Sequence, residues 1–283
     1  MSPSLTALID QVRAARADGT PLELRGGGTK AFYGEAPAGR VLDTRPHAGI
    51  LSYQPTELVV TVACGTPLAE LEAALAEKGQ ALAFEPPHFG AAATVGGMVA
   101  AGLSGPARAS NGAVRDHLLG AALVDGDGTL MQFGGEVMKN VAGYDVSRVL
   151  AGSLGTLGLI AAVSLKVLPI APATATVRFA LDEADALARL AAWGGQPLPL
   201  NASAWWDGTL LLRLRGALAA VQAALVAMKA AGGEVVDPAL ASPFWAGLRE
   251  QTDEFFTKAA AAAAGGVPLG RLAGPPGAAP PGP

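Results

Sequence analysis

The sequence contains few side chains that could ligate a metal or form a redox centre. It has a single cysteine, Cys64, and three histidines, His47, His88 and His117, which lie far apart along the chain. One cysteine excludes an internal disulfide, a cysteine-ligated iron–sulfur cluster and a cysteine-based structural zinc site. We therefore predict that this chain holds no metal.

Charged residues and long apolar runs are also scarce. Charged residues make up 16% of the chain, the net charge is −4 and no basic block occurs, which argues against a nucleic-acid-binding surface. Asp10 and Arg13 interrupt the start of the chain, so it lacks the apolar core of a signal peptide. The longest uncharged apolar stretch, between Arg148 and Lys166, contains several glycines and barely reaches the roughly 17–25 residues of a membrane span. We predict no transmembrane segment and a cytoplasmic location.

Length and composition are compatible with two folded domains. The chain has 283 residues, of which 51% are hydrophobic, enough to bury a full core. Pro169 and Pro172 mark the predicted boundary. We predict an α+β fold with a first domain over residues 1–170, a smaller α+β domain over residues 171–258 and a low-complexity tail over residues 259–283. The tail is almost entirely Ala, Gly and Pro, which predicts a disordered or truncated end.

Strand and helix patterns alternate in the first domain. The predicted strand Leu22–Arg25 runs directly into three consecutive glycines, and the β-rich run Leu58–Ala63 precedes Thr66-Pro67. We expect Thr66 to cap the helix that follows, with Pro67 in its first turn. The segment Asp125–Gly128 predicts a hairpin turn.

The first of three glycine-rich clusters is the segment Arg25–Lys30. Consecutive glycines allow backbone N–H groups to converge on a phosphate without obstruction by Cβ atoms. The segment lacks the Gly-Lys-Ser/Thr of a P-loop and the G-x-G-x-x-G spacing of a Rossmann fold. It is compatible either with a phosphate-binding loop or with a flexible turn.

Two further clusters could approach a flat ligand. One combines Glu85–His88 with the glycine pairs of Thr94–Met98 and Gly102–Gly105. The alternative for this region is an irregular loop packed under a sheet. The other combines the polar run Lys139–Asp145 with the glycines of Gly152–Gly158. Polar groups at a buried glycine-rich turn need hydrogen-bond partners, which either the protein or a ligand could supply.

Taken together, these segments resemble the FAD-binding domain of vanillyl-alcohol-oxidase-type (PCMH-type) flavoproteins. The resemblance is stronger to the FAD-binding E subunits of bacterial glycolate oxidase (glycolate dehydrogenase), and it extends from about residue 6 to about residue 258. It implies a two-subdomain PCMH-type FAD-binding domain followed by a smaller α+β domain and a disordered tail. The segments that carry it are RGGGTKAFYG, PTELVVTVACGTPLAELEAAL, EPPHFG, TVGGMVAAGLSGP and FGGEVMKNVAGYDVSRVLAGSLGTLG.

The resemblance also implies how the cofactor is held. The first glycine loop would bind the FAD pyrophosphate, and Thr94–Gly97 and Gly102–Ser104 would line the flavin and the pyrophosphate. Gly155–Ile160 would contact adenine and ribose through its backbone. Relatives that attach flavin covalently use a histidine in the first loop; this chain has Thr29 and Lys30 there, which implies non-covalent FAD. The implied cofactor-binding residues are Gly26, Gly27, Gly28, Thr29, Lys30, Pro87, Thr94, Val95, Gly96, Gly97, Gly102, Ser104, Arg115, Asp116, Lys139, Asn140, Tyr144, Gly155 and Ile160.

The reaction implied by the resemblance is the oxidation of a 2-hydroxy acid, glycolate, to glyoxylate. Such a reaction needs a hydride acceptor, a base and a cation for the carboxylate. The sequence shows no clear base, and the catalytic candidates are His88 and Arg115. His88 could instead stabilise its own loop through a hydrogen bond, and Arg115 could instead pair with Asp116.

The resemblance implies that the chain is one subunit of an FAD-dependent oxidoreductase. The expected partners are a second flavin subunit, which holds the main dehydrogenation site, and an iron–sulfur subunit, through which the complex could lie at the inner membrane. The catalytic subunit of the family carries a histidine-rich metal-binding region, whereas this chain has no histidine after His117. The alternatives are a stand-alone FAD-dependent 2-hydroxy-acid dehydrogenase and an assembly subunit without turnover.

Overall fold

The structure is a computed structural model of the 283-residue chain, and it describes residues 1–135 and 144–266. The chain forms two compact units. The first comprises Met1–Gly105 and Gly112–Ile170, and the second comprises Pro106–Asn111 and the chain from Ala171 onward. The segment Pro106–Asn111 therefore belongs to the second unit, although its position in the sequence assigned it to the first domain.

The described residues form both helices and strands. The helices are α1 (Pro3–Asp18), α2 (Leu68–Ala76), α3 (Val95–Ala101), α4 (Arg108–Asn111), α5 (Val114–His117), α6 (Val146–Val149), α7 (Glu183–Gly194), α8 (Leu218–Ala230), α9 (Pro238–Glu250) and α10 (Glu254–Ala264). The strands are β1 (Leu22–Arg25), β2 (Arg40–Asp43), β3 (Ile50–Gln54), β4 (Val59–Ala63), β5 (Gln80–Ala81), β6 (Leu118–Val124), β7 (Leu130–Gly134), β8 (Leu159–Lys166), β9 (Leu168–Pro169), β10 (Ala173–Ala180), β11 (Leu200–Trp206), β12 (Thr209–Gly216) and β13 (Glu234–Val236).

An antiparallel sheet in the order β3-β4-β8-β6-β7 forms the centre of the first unit. Val163 and Leu165 of β8 pack in one hydrophobic cluster with α2 and α3, and Leu159 and Ala161 pack in another with α1. The sheet is thus covered on both faces, which explains why nearly all of β8 is buried.

A separate parallel pair, β1 and β2, leads into the first glycine cluster. Leu22 of β1 pairs with Arg40 of β2, and Arg25 at the end of β1 pairs with Asp43. The strand predicted at Leu22–Arg25 is confirmed. Because the three glycines follow Arg25 directly, β1 fixes the point from which their loop departs.

In the first unit, the turn predicted at Asp125–Gly128 is confirmed and the helix cap predicted at Thr66 is wrong. Asp125–Gly128 joins β6 to β7 as expected, with the Asp125 carboxylate accepting hydrogen bonds from the amides of Asp127 and Thr129. The prediction that Thr66 caps α2 is wrong. The buried Thr66 hydroxyl instead donates to the Ala63 carbonyl at 2.7 Å and accepts from the Gly49 amide at 2.9 Å. It makes no capping hydrogen bond to α2.

The second unit contains the antiparallel sheet β11-β12-β10-β13. Phe179, Trp193 and Leu212 belong to a hydrophobic cluster between this sheet and helices α7 and α8. This cluster gives the second unit a core of its own.

The predicted tail is partly wrong. Residues 259–264 of the predicted tail belong to α10, which begins before the tail at Glu254. The Asp253 carboxylate caps its first turn and accepts a hydrogen bond from the Phe256 amide at 3.3 Å. Alanine has the highest helix propensity, so a capped alanine run extends a helix that has already begun. Residues 267–283 of the predicted tail lie outside the described residues.

No membrane-spanning helix occurs in the described part of the chain, because none of its helices combines the necessary length with sufficient hydropathy.

Candidate functional site

A cleft of about 410 Å³ lies in the first unit, beside the end of β1. Its walls include the glycine loop, defined here as residues 26–30, the start of α3 and the turn Leu154–Thr156. The structure thus brings together parts of all three glycine-rich clusters. A smaller cavity of about 60 Å³ shares Gly97 and Gly155 with the cleft and is lined also by Cys64 and Ile160.

The first two glycines of the glycine loop are required by packing within the protein. A Cβ atom on Gly27 would lie 1.5 Å from the Ala92 carbonyl oxygen, and one on Gly26 would lie 2.3 Å from Oγ1 of Thr94. These positions therefore exclude larger residues whether or not a ligand is bound. The sequence pattern alone could not separate this cause from close approach of a ligand.

Gly28 differs from its two neighbours. Its φ is +70°, and the nearest atom to a Cβ built on it is Cδ of Arg25 at 3.9 Å. The space on this side of the backbone is therefore open. Since Gly28 lines the cleft, its backbone can be approached closely by a bound group.

The middle of the second cluster forms the short helix α3, whereas Glu85–His88 and Leu103–Gly105 have no regular structure. Thr94 is the N-cap of α3, and its hydroxyl accepts a hydrogen bond from the Gly97 amide at 3.2 Å. Thr94 and Gly97 line the cleft, while Val95 is fully buried. Gly96 lines the smaller cavity, and a Cβ there would lie 2.7 Å from Cβ of Cys64.

Leu154 lines the cleft, although the sequence did not mark it as a site residue. Its φ is +52°, a conformation that favours glycine, and its side chain is 46% exposed. Its amide donates to the Ala100 carbonyl at 2.9 Å, which ties the turn to α3. Strained residues concentrate at binding sites, which fits a place on the cleft wall. In the sequence, only the position of Leu154 between Gly152 and Gly155 pointed to this turn.

His88 lies beside the glycine loop, but its ring contacts another element. Nε2 is 2.9 Å from Oε2 of Glu72 on α2. The His88 carbonyl oxygen accepts hydrogen bonds from the Thr29 hydroxyl at 2.8 Å and from the Lys30 ammonium at 3.1 Å. His88 is absent from the described residues that line the cleft. The sequence left two roles open for His88, contact with a substrate or stabilisation of its own loop. The hydrogen bonds present in the structure are those of the second role.

Several other predicted site residues stabilise neighbouring turns. The Asp116 carboxylate accepts from the Ala113 amide at 2.8 Å, and the Ser104 hydroxyl accepts from the Val114 amide at 3.2 Å, so both act at the start of α5. Gly102 is the left-handed C-cap of α3.

The structure brings only part of the predicted set to the cleft. The predicted residues that line it are Gly26, Gly27, Gly28, Thr29, Lys30, Thr94, Gly97 and Gly155. Those that the described cleft wall does not contain are Pro87, Val95, Gly96, Gly102, Ser104, Arg115, Asp116, Tyr144 and Ile160; of these, Gly96 and Ile160 line the smaller cavity. Pro87 is buried, whereas Arg115 and Tyr144 are exposed. Lys139 and Asn140 lie outside the described residues.

The charged side chains on the described cleft wall are Glu23, Arg25, Lys30 and Glu35. Lys30 places a cation on the cleft wall, with Nζ 5.6 Å from the centre of the Phe89 ring. Burial raises the pKa of the Cys64 thiol to about 12, so this sulfur stays protonated. Across residues 1–135 and 144–266, no group of three or more His, Cys, Asp or Glu side chains could hold a metal ion.

Sequence comparisons place this architecture among flavoproteins. A family described as an FAD binding domain matches residues 4–134. Glycolate oxidase subunit GlcE of Escherichia coli is 47% identical over 251 residues, which cover 89% of this chain and 70% of that protein. Glycolate oxidase subunit GlcD of Bacillus subtilis is 31% identical over 173 residues, and D-lactate dehydrogenase of Archaeoglobus fulgidus is 34% identical over 161 residues. The matched regions cover 60% and 56% of this chain, but only 36% and 35% of those two proteins.

Structural comparison agrees at the level of the fold. A solved structure of alkyldihydroxyacetonephosphate synthase matches with a TM-score of 0.68 at 18% sequence identity, covering 87% of this chain and 56% of the synthase. The mixed helix-and-sheet architecture expected for the PCMH-type FAD-binding fold is confirmed. With the sequence identity to GlcE over most of both chains, the protein belongs to the family of the FAD-binding glycolate oxidase subunit GlcE.

Proposed function

We propose that the cleft of the first unit binds FAD non-covalently, with the glycine loop against the pyrophosphate. The observation that carries this proposal is the open side of Gly28 in a cleft whose wall also contains Lys30. Backbone N–H groups without an intervening Cβ can hold phosphate oxygens, and a lysine adds positive charge. The hydroxyls of Thr29 and Thr94 add polar groups along the same wall.

The remaining parts of the cofactor would extend from the glycine loop along the cleft. Thr94 and Gly97 line this cleft, as do Gly155 and Thr156. The smaller cavity near Ile160 extends the apolar surface available to a flat ring. Bound FAD would supply the hydride acceptor, while the chain's own groups would position it and exclude water.

The chain then functions as the FAD-binding subunit of a glycolate oxidase complex that converts glycolate to glyoxylate. The relatives named as glycolate oxidase subunits support this assignment. We place the main dehydrogenation site on a partner subunit, because the His88 ring contacts Glu72 and the described cleft wall contains no histidine. A second flavin subunit and an iron–sulfur subunit as partners, and a cytoplasmic complex that reaches the inner membrane through them, belong to the same proposal.

Two other functions stay open to experiment. A stand-alone FAD-dependent 2-hydroxy-acid dehydrogenase would reduce its flavin with glycolate in the absence of partners. An assembly subunit would fail to bind FAD at all. Titration of the purified chain with FAD tests the proposal directly: saturable binding at a ratio of one FAD per chain supports it, and no binding contradicts it.

Non-covalent attachment gives a separate prediction. Acid precipitation of the FAD-loaded chain is expected to release all flavin into the supernatant, since the described cleft wall contains no histidine and the buried Cys64 thiol of the smaller cavity stays protonated. The measurement is flavin absorbance in supernatant and pellet. Flavin that stays with the washed pellet would show a covalent bond and refute this part of the proposal.

A further inference from the structure

Residues His88–Gly90, here called the clamp segment, contact the glycine loop at successive positions. The His88 carbonyl oxygen lies 2.8 Å from the Thr29 hydroxyl and 3.1 Å from the Lys30 ammonium. A Cβ atom on Gly90 would lie 3.3 Å from Cγ2 of Thr29, so the backbone there runs close to this side chain. Thr29 and Lys30 are thus positioned by groups outside their own loop.

An aromatic contact extends the same interface. The Phe89 ring lies 5.3 Å from the ring of Phe32 in an edge-to-face arrangement, and Nζ of Lys30 lies 5.6 Å from the centre of the Phe89 ring. Edge-to-face pairs and cation–π contacts both stabilise a fixed geometry. The clamp segment therefore restrains the chain from Thr29 to Phe32 through polar and apolar contacts together.

The clamp segment holds a strained conformation. Phe89 has φ +53°, and Glu85, which begins the same loop, has φ +50°. For residues with a Cβ this region is unfavourable, and such conformations persist only where surrounding contacts determine them. Some group outside the segment must therefore hold it.

The Glu72–His88 contact supplies that restraint. Nε2 of His88 is 2.9 Å from Oε2 of Glu72, and the two side chains are 16% and 31% exposed. Glu72 stands on α2, a helix fixed in the core by the fully buried Leu68, Leu71 and Leu75. The clamp segment is in this way tied to a rigid element of the first unit.

We infer that the Glu72–His88 pair positions the FAD-binding loop. By holding the strained clamp segment in place, it keeps Thr29 and Lys30 in the geometry that receives the pyrophosphate and slows release of the cofactor. Glu72 and His88 act as positioning residues, through the His88 carbonyl and not through contact with the ligand. The inference rests on the proposed FAD function for its ligand.

The first experiment compares three variants of the full-length chain. Glu72→Ala removes the acceptor of the His88 ring, Glu72→Gln keeps an oxygen acceptor without the charge, and Glu70→Ala removes an exposed carboxylate from the same helix as the matched control. Glu72→Ala is expected to release FAD about tenfold faster, as for loss of a hydrogen bond between partly buried groups. Glu72→Gln and Glu70→Ala are expected to release it at close to the unmodified rate. Equal release rates for Glu72→Ala and the unmodified chain would overturn the inference.

A double-mutant cycle separates positioning from general stability. If Glu72 acts through the loop, Glu72→Ala will add little to the release rate once Thr29→Val and Lys30→Met have removed both contacts to the His88 carbonyl. Fully additive effects, together with a parallel loss of thermal stability in the cofactor-free chain, would indicate a merely structural role and refute positioning.

Hydrogen exchange in the cofactor-free chain provides a readout that does not need FAD. Glu72→Ala is expected to raise the exchange rates of amides in residues 26–32 while leaving those of the β6–β8 sheet unchanged. Unchanged exchange in residues 26–32 would contradict the inference. If the unmodified chain bound no FAD, the proposed function would fail, and this exchange measurement would still test the clamp by itself.

Discussion

Replacing Gly27 by valine is expected to abolish FAD binding and to lower the melting temperature of the first unit by about 10 °C. A Cβ at this position would overlap the Ala92 carbonyl oxygen, and backbone cannot move aside as the end of a long side chain can. Overpacking at such a point costs about 3 kcal/mol, and each kcal/mol lowers the melting temperature of a unit of this size by about 2–4 °C.

The second unit is expected to stay folded in this variant, because it has a hydrophobic core of its own. Its state can be followed separately. All four tryptophans, at positions 193, 205, 206 and 245, belong to the second unit, so tryptophan fluorescence reports that unit alone. Loss of FAD with an unchanged tryptophan signal is the expected result. Full flavin occupancy in Gly27→Val would show that the loop is assigned wrongly.

Because Gly27→Val disturbs packing as well as the site, Gly28→Ala is the sharper test of the ligand contact. The added methyl group meets no neighbour closer than 3.9 Å, so the main cost in the free protein is the left-handed conformation, about 1–2 kcal/mol. Gly19→Ala is the matched control, since Gly19 has φ +66° and open space but lies at the end of α1.

The two alanine variants are therefore expected to lose similar thermal stability and to differ in cofactor affinity. Gly28→Ala should weaken FAD binding about tenfold or more, because the methyl group occupies the space in which a phosphate approaches the backbone. Gly19→Ala should bind FAD as the unmodified chain does. Equal affinities measured by titration would remove Gly28 from the binding site.

The elements that could be predicted from the sequence are those set by local patterns. The strand Leu22–Arg25 and the turn Asp125–Gly128 follow from patterns within a few residues, and both were predicted correctly. The cap proposed for Thr66 failed because its hydroxyl donates to the Ala63 carbonyl in the preceding turn and accepts from Gly49, a residue 17 positions earlier that no local pattern connects with it.

At the candidate site, the sequence indicated the position of the loop but not the contacts that its residues make. Consecutive glycines located the loop, but the reason for Gly27 lies in Ala92, a residue 65 positions further along the chain. The direction of the His88 ring depends on Glu72, which the sequence analysis had not connected with it. Motifs can therefore indicate where a ligand binds, while the roles of individual side chains depend on packing between distant segments.

Mixing the isolated FAD-loaded chain with excess glycolate in the absence of oxygen is expected to leave the flavin absorbance unchanged. Oxidation of a 2-hydroxy acid needs a base at the hydroxyl, and a positioned acid–base group contributes about 10²–10⁴-fold to the rate. The described cleft wall contains the cations Arg25 and Lys30 and the carboxylates Glu23 and Glu35 but no histidine, and the His88 ring points to Glu72. When the partner subunits are added, the flavin absorbance is expected to fall rapidly as glycolate reduces the flavin.

Rapid bleaching by glycolate without partners would instead make this chain the dehydrogenase. The base would then have to be identified among the groups at the cleft, and four substitutions distinguish them. Tyr33→Phe, Glu23→Gln and Glu35→Gln change the phenolic and acidic groups that line it, while His88→Ala changes the histidine beside the glycine loop. A true base would abolish bleaching while FAD stays bound, whereas His88→Ala in its positioning role would release FAD faster. Measuring bound flavin and bleaching on the same samples therefore separates catalysis from positioning.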